Sequence, residues 1–367
     1  MGRLTTHLLT AVALLALGLA PARAEVLVAT AGPMSGQYTW FGEQMQRGAE
    51  LAVADLNSAG GVLGEKVKLI VGDDACDDAQ TVAVANKLVS DGVAFVAGHW
   101  CSSSSIPAAK VYEEAGILMI TPASTNPKLT DEGGRNVFRL SGRDDEQGIV
   151  AGDYLAEHWG EKKIAILHDG TTYGKGLADA TRTHLQKRGV KEVMYESYRP
   201  GEVEYSSIVS KMQTEDIDVF YVGGYSTEAA LMIREARNTG YDVQLISGDA
   251  LTSEEFVMVA GPAAEGTLIT FFPDARDYPE AKDVVARFRE DGYEPEGYTL
   301  QTYAAFQTWS QAAEKAGSLD LGKMIEALHQ TEFHTVFGKF KFNDNGDMTA
   351  PGFVWYTWKD GSYVSMK

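Results

Sequence analysis

The chain is poor in cysteine, in basic residues and, past its first two dozen positions, in long apolar runs. Two cysteines among 367 residues, Cys76 and Cys101, exclude a disulfide-dense scaffold, and with no paired CxxC or HExxH spacing a zinc site of those designs is excluded as well. Lysine and arginine total 32 against 51 acidic residues, a net charge of -19 that makes nucleic acid and anionic lipid poor partners. After residue 24 no apolar run approaches the roughly 20 residues a spanning helix needs. No G-x-S-x-G elbow marks a serine nucleophile. GGVLGEKV lacks the G-x-x-x-x-G-K-[ST] spacing and precedes a strand rather than a helix, so no nucleotide loop is indicated.

What is present begins with MGRLTTHLLTAVALLALGLAPARA, residues 1–24. It has a basic start at Arg3, an apolar core from Leu8 to Ala20 and a small-x-small ending at Ala22-Arg23-Ala24. This is the pattern of a secretory signal peptide, expected to be cleaved after Ala24. No cysteine stands at that point to carry a lipid. Loss of two arginines and no acid would take the net charge to -21. In an exported protein a single disulfide is the default for two cysteines, with two buried free thiols the alternative. A bridge would close a loop of about 25 residues and, in the chain-entropy model, stabilise by roughly 3 kcal/mol. The rest of the chain is long enough for two domain-sized cores.

Short β-rich runs alternate with amphipathic stretches, the sequence form of βαβ units and a parallel sheet. Strands are predicted at 26–32, 66–74, 93–98, 117–123 and 137–142, and the rhythm restarts with 163–169, 193–198, 218–224, 243–249 and 267–272. A helical stripe of Met45, Ala49, Ala52, Val53 and Leu56 ends at Gly60 and reads as a core-facing face. Residues 279–328 are mostly helical, and the tail holds two or three short strands, with NDNGD as a hairpin turn rather than a calcium loop. The restart near residue 143 predicts two similar α/β lobes. In such sheets ligands bind outside the carboxyl ends of strands, so the residues just after each strand are the candidates.

After the third strand comes Gly98-His99-Trp100-Cys101-Ser102-Ser103-Ser104-Ser105, leading into a helix. Most of these serines are expected to cap it, with Ser102 the first choice to meet a ligand carboxylate. After the fourth, Thr121-Pro122-Ala123-Ser124-Thr125-Asn126-Pro127 is again small and hydroxyl-rich, so Ser102, Ala123 and Thr125 could share one carboxylate. Asp249, read as ending its strand, and Tyr225, following FYVGG, offer the opposite chemistry, an acceptor and an aromatic face for an ammonium. Trp100, Tyr173, Tyr225 and Tyr298 gather at such ends, with Phe41 in the first loop, and would suit an apolar ligand side chain. His99 with Cys76, Cys101, Asp73, Asp74, Asp77 and Asp78 has no metal-site spacing, and no metal or other cofactor is expected.

The run DDACDDAQTVAVANKLVSDGVAFVAGHWCSSSSIPAAKVYEEAGILMITPASTNPKLT closely resembles the same region of the periplasmic leucine/isoleucine/valine-binding proteins. PMSG, HDGTTYGKGLA, FYVGGYSTEA, AEGTLITF and TYAAFQ extend the similarity along the chain after the leader. The resemblance implies a type I periplasmic binding fold, α/β, with two Rossmann-like lobes, a ligand cleft between them and three crossovers. It would place one lobe at 25–142 plus 274–350 and the other at 143–273 plus 351–367. It assigns the ligand carboxylate to Ser102, Ala123 and Thr125, the ammonium to Asp249 and Tyr225, and the side-chain wall to Phe41, Trp100, Cys101, Tyr173 and Tyr298. Cys76 and Cys101 fall where the family's disulfide lies. The implied protein is a monomeric periplasmic receptor, not an enzyme, that delivers an aliphatic amino acid to an ABC permease. The same fold also serves aromatic acids, amides and urea, which is the alternative. Two positions depart from the family: Asp249, where glutamate is usual, and Trp100, where an aliphatic residue is often found.

Overall fold

The computed structural model describes residues 25–349 and 352–366, so the leader expected at 1–24 lies outside the described residues. The first part of the chain forms a parallel sheet from β1 (Val26–Gly32), β2 (Val67–Asp73), β3 (Phe95–Gly98), β4 (Leu118–Thr121) and β5 (Val137–Arg139), in the order β2-β1-β3-β4-β5. Helices α1 (Thr39–Ser58), α2 (Asp78–Asp91), α3 (Ser102–Ala115) and the short α4 (Lys128–Asp131) connect them. Successive strand residues face opposite layers. Val28, Phe95 and Leu118 pack toward one core, and Ala29, Val96 and Met119 toward the other. Gly92, with φ 81°, ends α2 in the left-handed conformation that costs glycine least.

The second part runs α5 (Asp144–Trp159), β6 (Ile164–His168), α6 (Thr172–Lys187), β7 (Met194–Ser197), α7 (Ser206–Thr214), β8 (Val219–Gly223), α8 (Ser226–Asn238), β9 (Gln244–Ser247), α9 (Glu254–Ala260) and β10 (Leu268–Phe271). The chain then returns to the first core through α10 (Lys282–Glu290), α11 (Thr299–Ala316), α12 (Leu321–Gln330) and the hairpin β11 (Phe333–Thr335) and β12 (Gly338–Phe340). It finally adds β13 (Val354–Lys359) and β14 (Ser362–Ser365) to the second sheet, whose order is β14-β13-β10-β9-β8-β6-β7. The pairs β10-β13 and β13-β14 are antiparallel and the others parallel. The tail from Phe337 thus carries three short strands, β12, β13 and β14, within the two or three expected. Helix α11 lies against α1, and Gly48 permits the approach, because a Cβ there would stand 2.2 Å from the Thr299 carbonyl oxygen.

Two local structures fix the loops at the ends of β3 and β4. Cys76 and Cys101 form a disulfide with Cα atoms 5.7 Å apart, tying the segment after β2 to the start of α3. Arg139, fully buried on β5, donates from Nε to Asp347 Oδ1 at 2.8 Å, from Nη2 to Thr130 Oγ1 at 2.7 Å and from Nη1 to the Asn126 carbonyl at 2.9 Å. One guanidinium therefore holds the Ser124–Asn126 loop against the Asn343–Asp347 turn.

Candidate functional site

The carboxyl ends of both sheets face one closed chamber with only about 10 Å3 of free room, lined by Trp100, Ser102, Ala123, Thr125, Tyr173, Tyr225, Asp249, Ala250 and Tyr298. Eight of these nine were named from the sequence; Ala250 was not.

At one end lie the starts of loops from the first sheet. Most of the four serines were expected to cap α3, and none does. The cap position is Cys101, which makes no side-chain cap hydrogen bond, and Ser102 to Ser105 form the first turn. Their hydroxyls are used sideways instead. Ser104 accepts from Thr81 at 2.9 Å, Ser105 donates to the His99 carbonyl at 3.1 Å, and Ser102 accepts from the Asn126 N–H at 3.3 Å. The first N–H groups of a helix have no internal partner. Among the described residues no hydrogen bond takes up the N–H of Ser102 or of Thr125. The Ala123 N–H is already donated to Thr121 Oγ1 at 3.2 Å. This end therefore presents free N–H and hydroxyl donors in the water-poor setting where a carboxylate gains most from them.

At the other end stands Asp249, 2% exposed. It does not end its strand, as expected, but lies two residues past β9 in a short 3-10 turn, Asp249–Leu251. Its side chain does not cap that turn. Oδ1 accepts from the Tyr173 hydroxyl at 2.9 Å and Oδ2 from the Tyr298 hydroxyl at 2.5 Å. Tyr298 precedes α11, on the side of the first sheet, so the Tyr298–Asp249 bond crosses the cleft. Gln37 Nε2 to Glu228 Oε1 at 2.6 Å and Asn126 Nδ2 to the Thr172 carbonyl at 2.8 Å cross it too.

Aromatic rings form the wall between the two ends. Trp100 meets Tyr298 edge-on at 5.7 Å and Tyr225 at 5.5 Å, and Tyr225 meets Tyr173 at 5.2 Å. Phe41 and Cys101 stand one layer behind. Phe41 belongs to α1 rather than to the loop before it, and stacks on Trp100 at 4.0 Å. The Cys101 sulfur receives the Tyr225 hydroxyl at 3.5 Å. His99 is buried away from the chamber between Asp74, 2.5 Å from Nδ1, and the Tyr112 hydroxyl, 2.9 Å from Nε2. Among the described residues no group of three or more His, Cys, Asp or Glu side chains could hold a metal ion.

Besides Ala250, one residue behind the chamber wall escaped the sequence reading. Asp144, the first residue of α5, is fully buried beside Thr125, whose carbonyl accepts its N–H at 2.9 Å, and neither carboxylate oxygen has a hydrogen-bond partner. Burial and the neighbouring Asp249 push its pKa well above the ordinary 3.8, partly offset by Thr125 and Arg139. Asp249 is raised as well, by burial, against the opposing hydrogen bonds of Tyr298, Tyr173 and Gln147. An ammonium requires the ionised carboxylate, so the sign follows. Affinity for a cationic group is complete above the raised pKa and falls as pH drops through it, and binding expels a proton. Calorimetry in two buffers of different ionisation enthalpy is expected to show proton release in the mildly acidic range above pH 3.8. Affinity flat down to that value, with no release, would count against the role of Asp249.

Two sheets that aim free donors and a buried acceptor into one closed chamber define a protein that traps a small solute between lobes. The chain belongs to the periplasmic binding protein family, which matches residues 25–362. It is 46% identical over 340 residues to the Leu/Ile/Val-binding protein homolog 1 of Brucella suis biovar 1, covering 92% of each chain. It is also 46% identical over 346 residues to an amino acid binding protein of Pseudomonas aeruginosa, covering 93% of this chain and 92% of that one. The structure of the leucine-binding protein LivK of Thermotoga maritima superposes with a TM-score of 0.86 at 27% identity, covering 93% of this chain and 98% of that one. The resemblance and the fold class read from the sequence are borne out. The chain is a binding protein of a periplasmic transport family, not an enzyme. Among the described residues no helix is long and apolar enough to cross a membrane.

Proposed function

We propose that this chain captures an aliphatic α-amino acid of the leucine, isoleucine and valine class and presents the closed, loaded form to an ABC permease. The observation that carries the reading is the polarity of the chamber. Asp249 is a buried carboxylate supported by two tyrosine hydroxyls at one end, and the donors of Ser102 and Thr125 stand at the other, with aromatic rings between. A zwitterion is the small molecule whose two charges match both ends. The Brucella and Pseudomonas relatives, named for such ligands, support the same class.

In this reading Ser102 and Thr125 hold the ligand carboxylate, with Ala123 beside them, and Asp249 holds the ammonium with the Tyr225 face. Trp100, Tyr173 and Tyr298 enclose the side chain, with Phe41 and Cys101 supporting them from behind. We assign one lobe to 25–142 plus 274–350 and the other to 143–273 plus 351–367; the three passages of the chain between the two sheets support that division. Cleavage after Ala24, a monomeric state and delivery to a permease belong to the same proposal. The mechanism is hinge closure: a ligand that touches both lobes favours the state in which both contacts exist.

Ligand that binds only the folded chain stabilises it by about 2.7 kcal/mol at 100 times its dissociation constant. A thermal-shift panel is expected to show upward shifts with leucine, isoleucine or valine. Shifts with aromatic acids, amides or urea, and none with any amino acid, would replace this reading with the alternative ligand class.

A further inference from the structure

Outside the chamber, the segment between β1 and α1 reaches from the first sheet onto the second. Gln37, an exposed residue, donates from Nε2 to Glu228 Oε1 at 2.6 Å. The next ring, Tyr38, lies 4.5 Å from the ring of Tyr225 and 6.2 Å from that of Trp100. Tyr38 does not line the chamber; it backs two rings that do.

The acceptor is a carboxylate without a cation. Glu228, on α8 and 1% exposed, receives only neutral donors among the described residues. These are the Gln37 amide and the Gly201 N–H, 3.0 Å away, both on Oε1, while Oε2 has none. The surroundings add negative charge: burial, and then the Glu228 carboxylate, push Asp169 up to about 6. Gly201 lies on the same side of the cleft as Glu228, so of the two donors only Gln37 leaves when the lobes part. Water takes its place in the open form. A neutral amide at that point closes and releases, where a cation would hold and an anion would repel.

We propose that Gln37 and Tyr38 form a latch that sets how long the closed form retains its ligand, Gln37 as the releasable donor to Glu228 and Tyr38 as the packing behind Tyr225 and Trp100. Both are positioning residues, since neither lines the chamber. The latch rests on the hinge-closing function proposed above. Apparent affinity is the intrinsic affinity scaled by the fraction of chain in the competent state, so a contact made only on closure acts from outside the site.

The exposed position of Gln37 lets charge be varied there without disturbing a core. Leucine release, followed by tryptophan fluorescence in stopped flow, should be faster by about tenfold or more in Gln37→Glu, where like charges meet. It should be slower by about threefold or more in Gln37→Lys, because charge-assisted hydrogen bonds are roughly twice as strong as neutral ones. Leucine has no net charge, so neither substitution steers its encounter. Tyr38→Ala should speed release by about three- to tenfold, the scale of an aromatic pair. With Glu228→Gln added, the difference between Gln37→Glu and Gln37→Lys should largely vanish. The urea midpoint of the ligand-free chain, which a merely structural contact would move, should not follow the same order.

Equal release from Gln37→Glu and Gln37→Lys would overturn the proposal. So would a difference that persists undiminished with Glu228→Gln, which would make it a general effect of charge. The two Gln37 variants decide the matter even if Glu228→Gln fails to fold. If no amino acid binds the unmodified chain, the amino-acid reading fails separately, and X-ray scattering of the ligand-free variants then reads the latch. Gln37→Lys more compact than Gln37→Glu would support it, and equal dimensions would overturn it.

Discussion

Replacing Asp249 with Asn is expected to lower leucine affinity by roughly 30-fold to several thousand-fold, because removing one partner of a desolvated, hydrogen-bonded charge pair costs about 2–5 kcal/mol. The substitution keeps the size of the side chain and one oxygen acceptor for a tyrosine hydroxyl, so Tyr173 or Tyr298 retains its contact and the fold is preserved. What disappears is the charge. The cost is high here because Asp249 is 2% exposed and its surroundings supply hydroxyls rather than cations. The effect should fall mainly on the dissociation rate, which carries most affinity differences between related complexes. A change of less than about threefold in leucine affinity, an order of magnitude below the predicted range, would remove Asp249 from the ammonium site.

The largest effect on stability is expected at Arg139. Arg139→Met should cost about 3–5 kcal/mol, since breaking one side of a buried ion pair leaves the other uncompensated. The residue is fully buried, and burial itself pulls its pKa down against the support of Asp347. Its loss leaves Asp347 with Arg143, 3.1 Å away, and the Thr130 hydroxyl, and takes one donor from each of the carbonyls of Ser124 and Asn126 in the loop that carries Thr125. Urea unfolding should show a lower midpoint with an unchanged slope. The double variant Arg139→Met/Asp347→Leu should recover much of the loss, because replacing a whole buried pair with apolar groups is often neutral. A cost below about 1 kcal/mol for Arg139→Met alone, the scale of an exposed ion pair, would show that solvent or the loop replaces the guanidinium.

The parallel strands were legible because each is a short, nearly continuous apolar run bounded by turn residues, as buried strands of α/β proteins are. Their ends were read too long. The run from Val93 begins as a turn after Gly92, and β3 starts only at Phe95. The run through Asp249 stops pairing at Ser247, which leaves the aspartate free to turn into the chamber. The serines were misread because capping depends on the backbone of a single residue. Cys101, with φ -70° and ψ 135°, takes the cap position, and its side chain is committed to Cys76.

Asp144 was hidden in the run Arg143-Asp144-Asp145-Glu146, an acidic helix start of the kind the helix dipole favours on any exposed helix. Of its three acids only Asp144 is buried, and that follows from the rotation of α5 beneath Thr125, which sequence spacing does not encode. The pairing of Gln37 with Glu228, 191 positions apart, is of the same kind. The available signal was the place of Asp144, directly after the restart of the strand rhythm near residue 143, where a carboxylate faces the junction of two lobes.

The central claim is that one molecule offers a carboxylate to Ser102 and Thr125 and an ammonium to Asp249. Calorimetric titration of leucine beside 4-methylpentanoate, the same skeleton without the amine, tests it most directly. The account predicts saturable one-to-one binding of leucine and binding of the amine-free acid weaker by roughly 30-fold or more. Equal affinity for the two, or tight binding of an aromatic acid with none of leucine, isoleucine or valine, would contradict it.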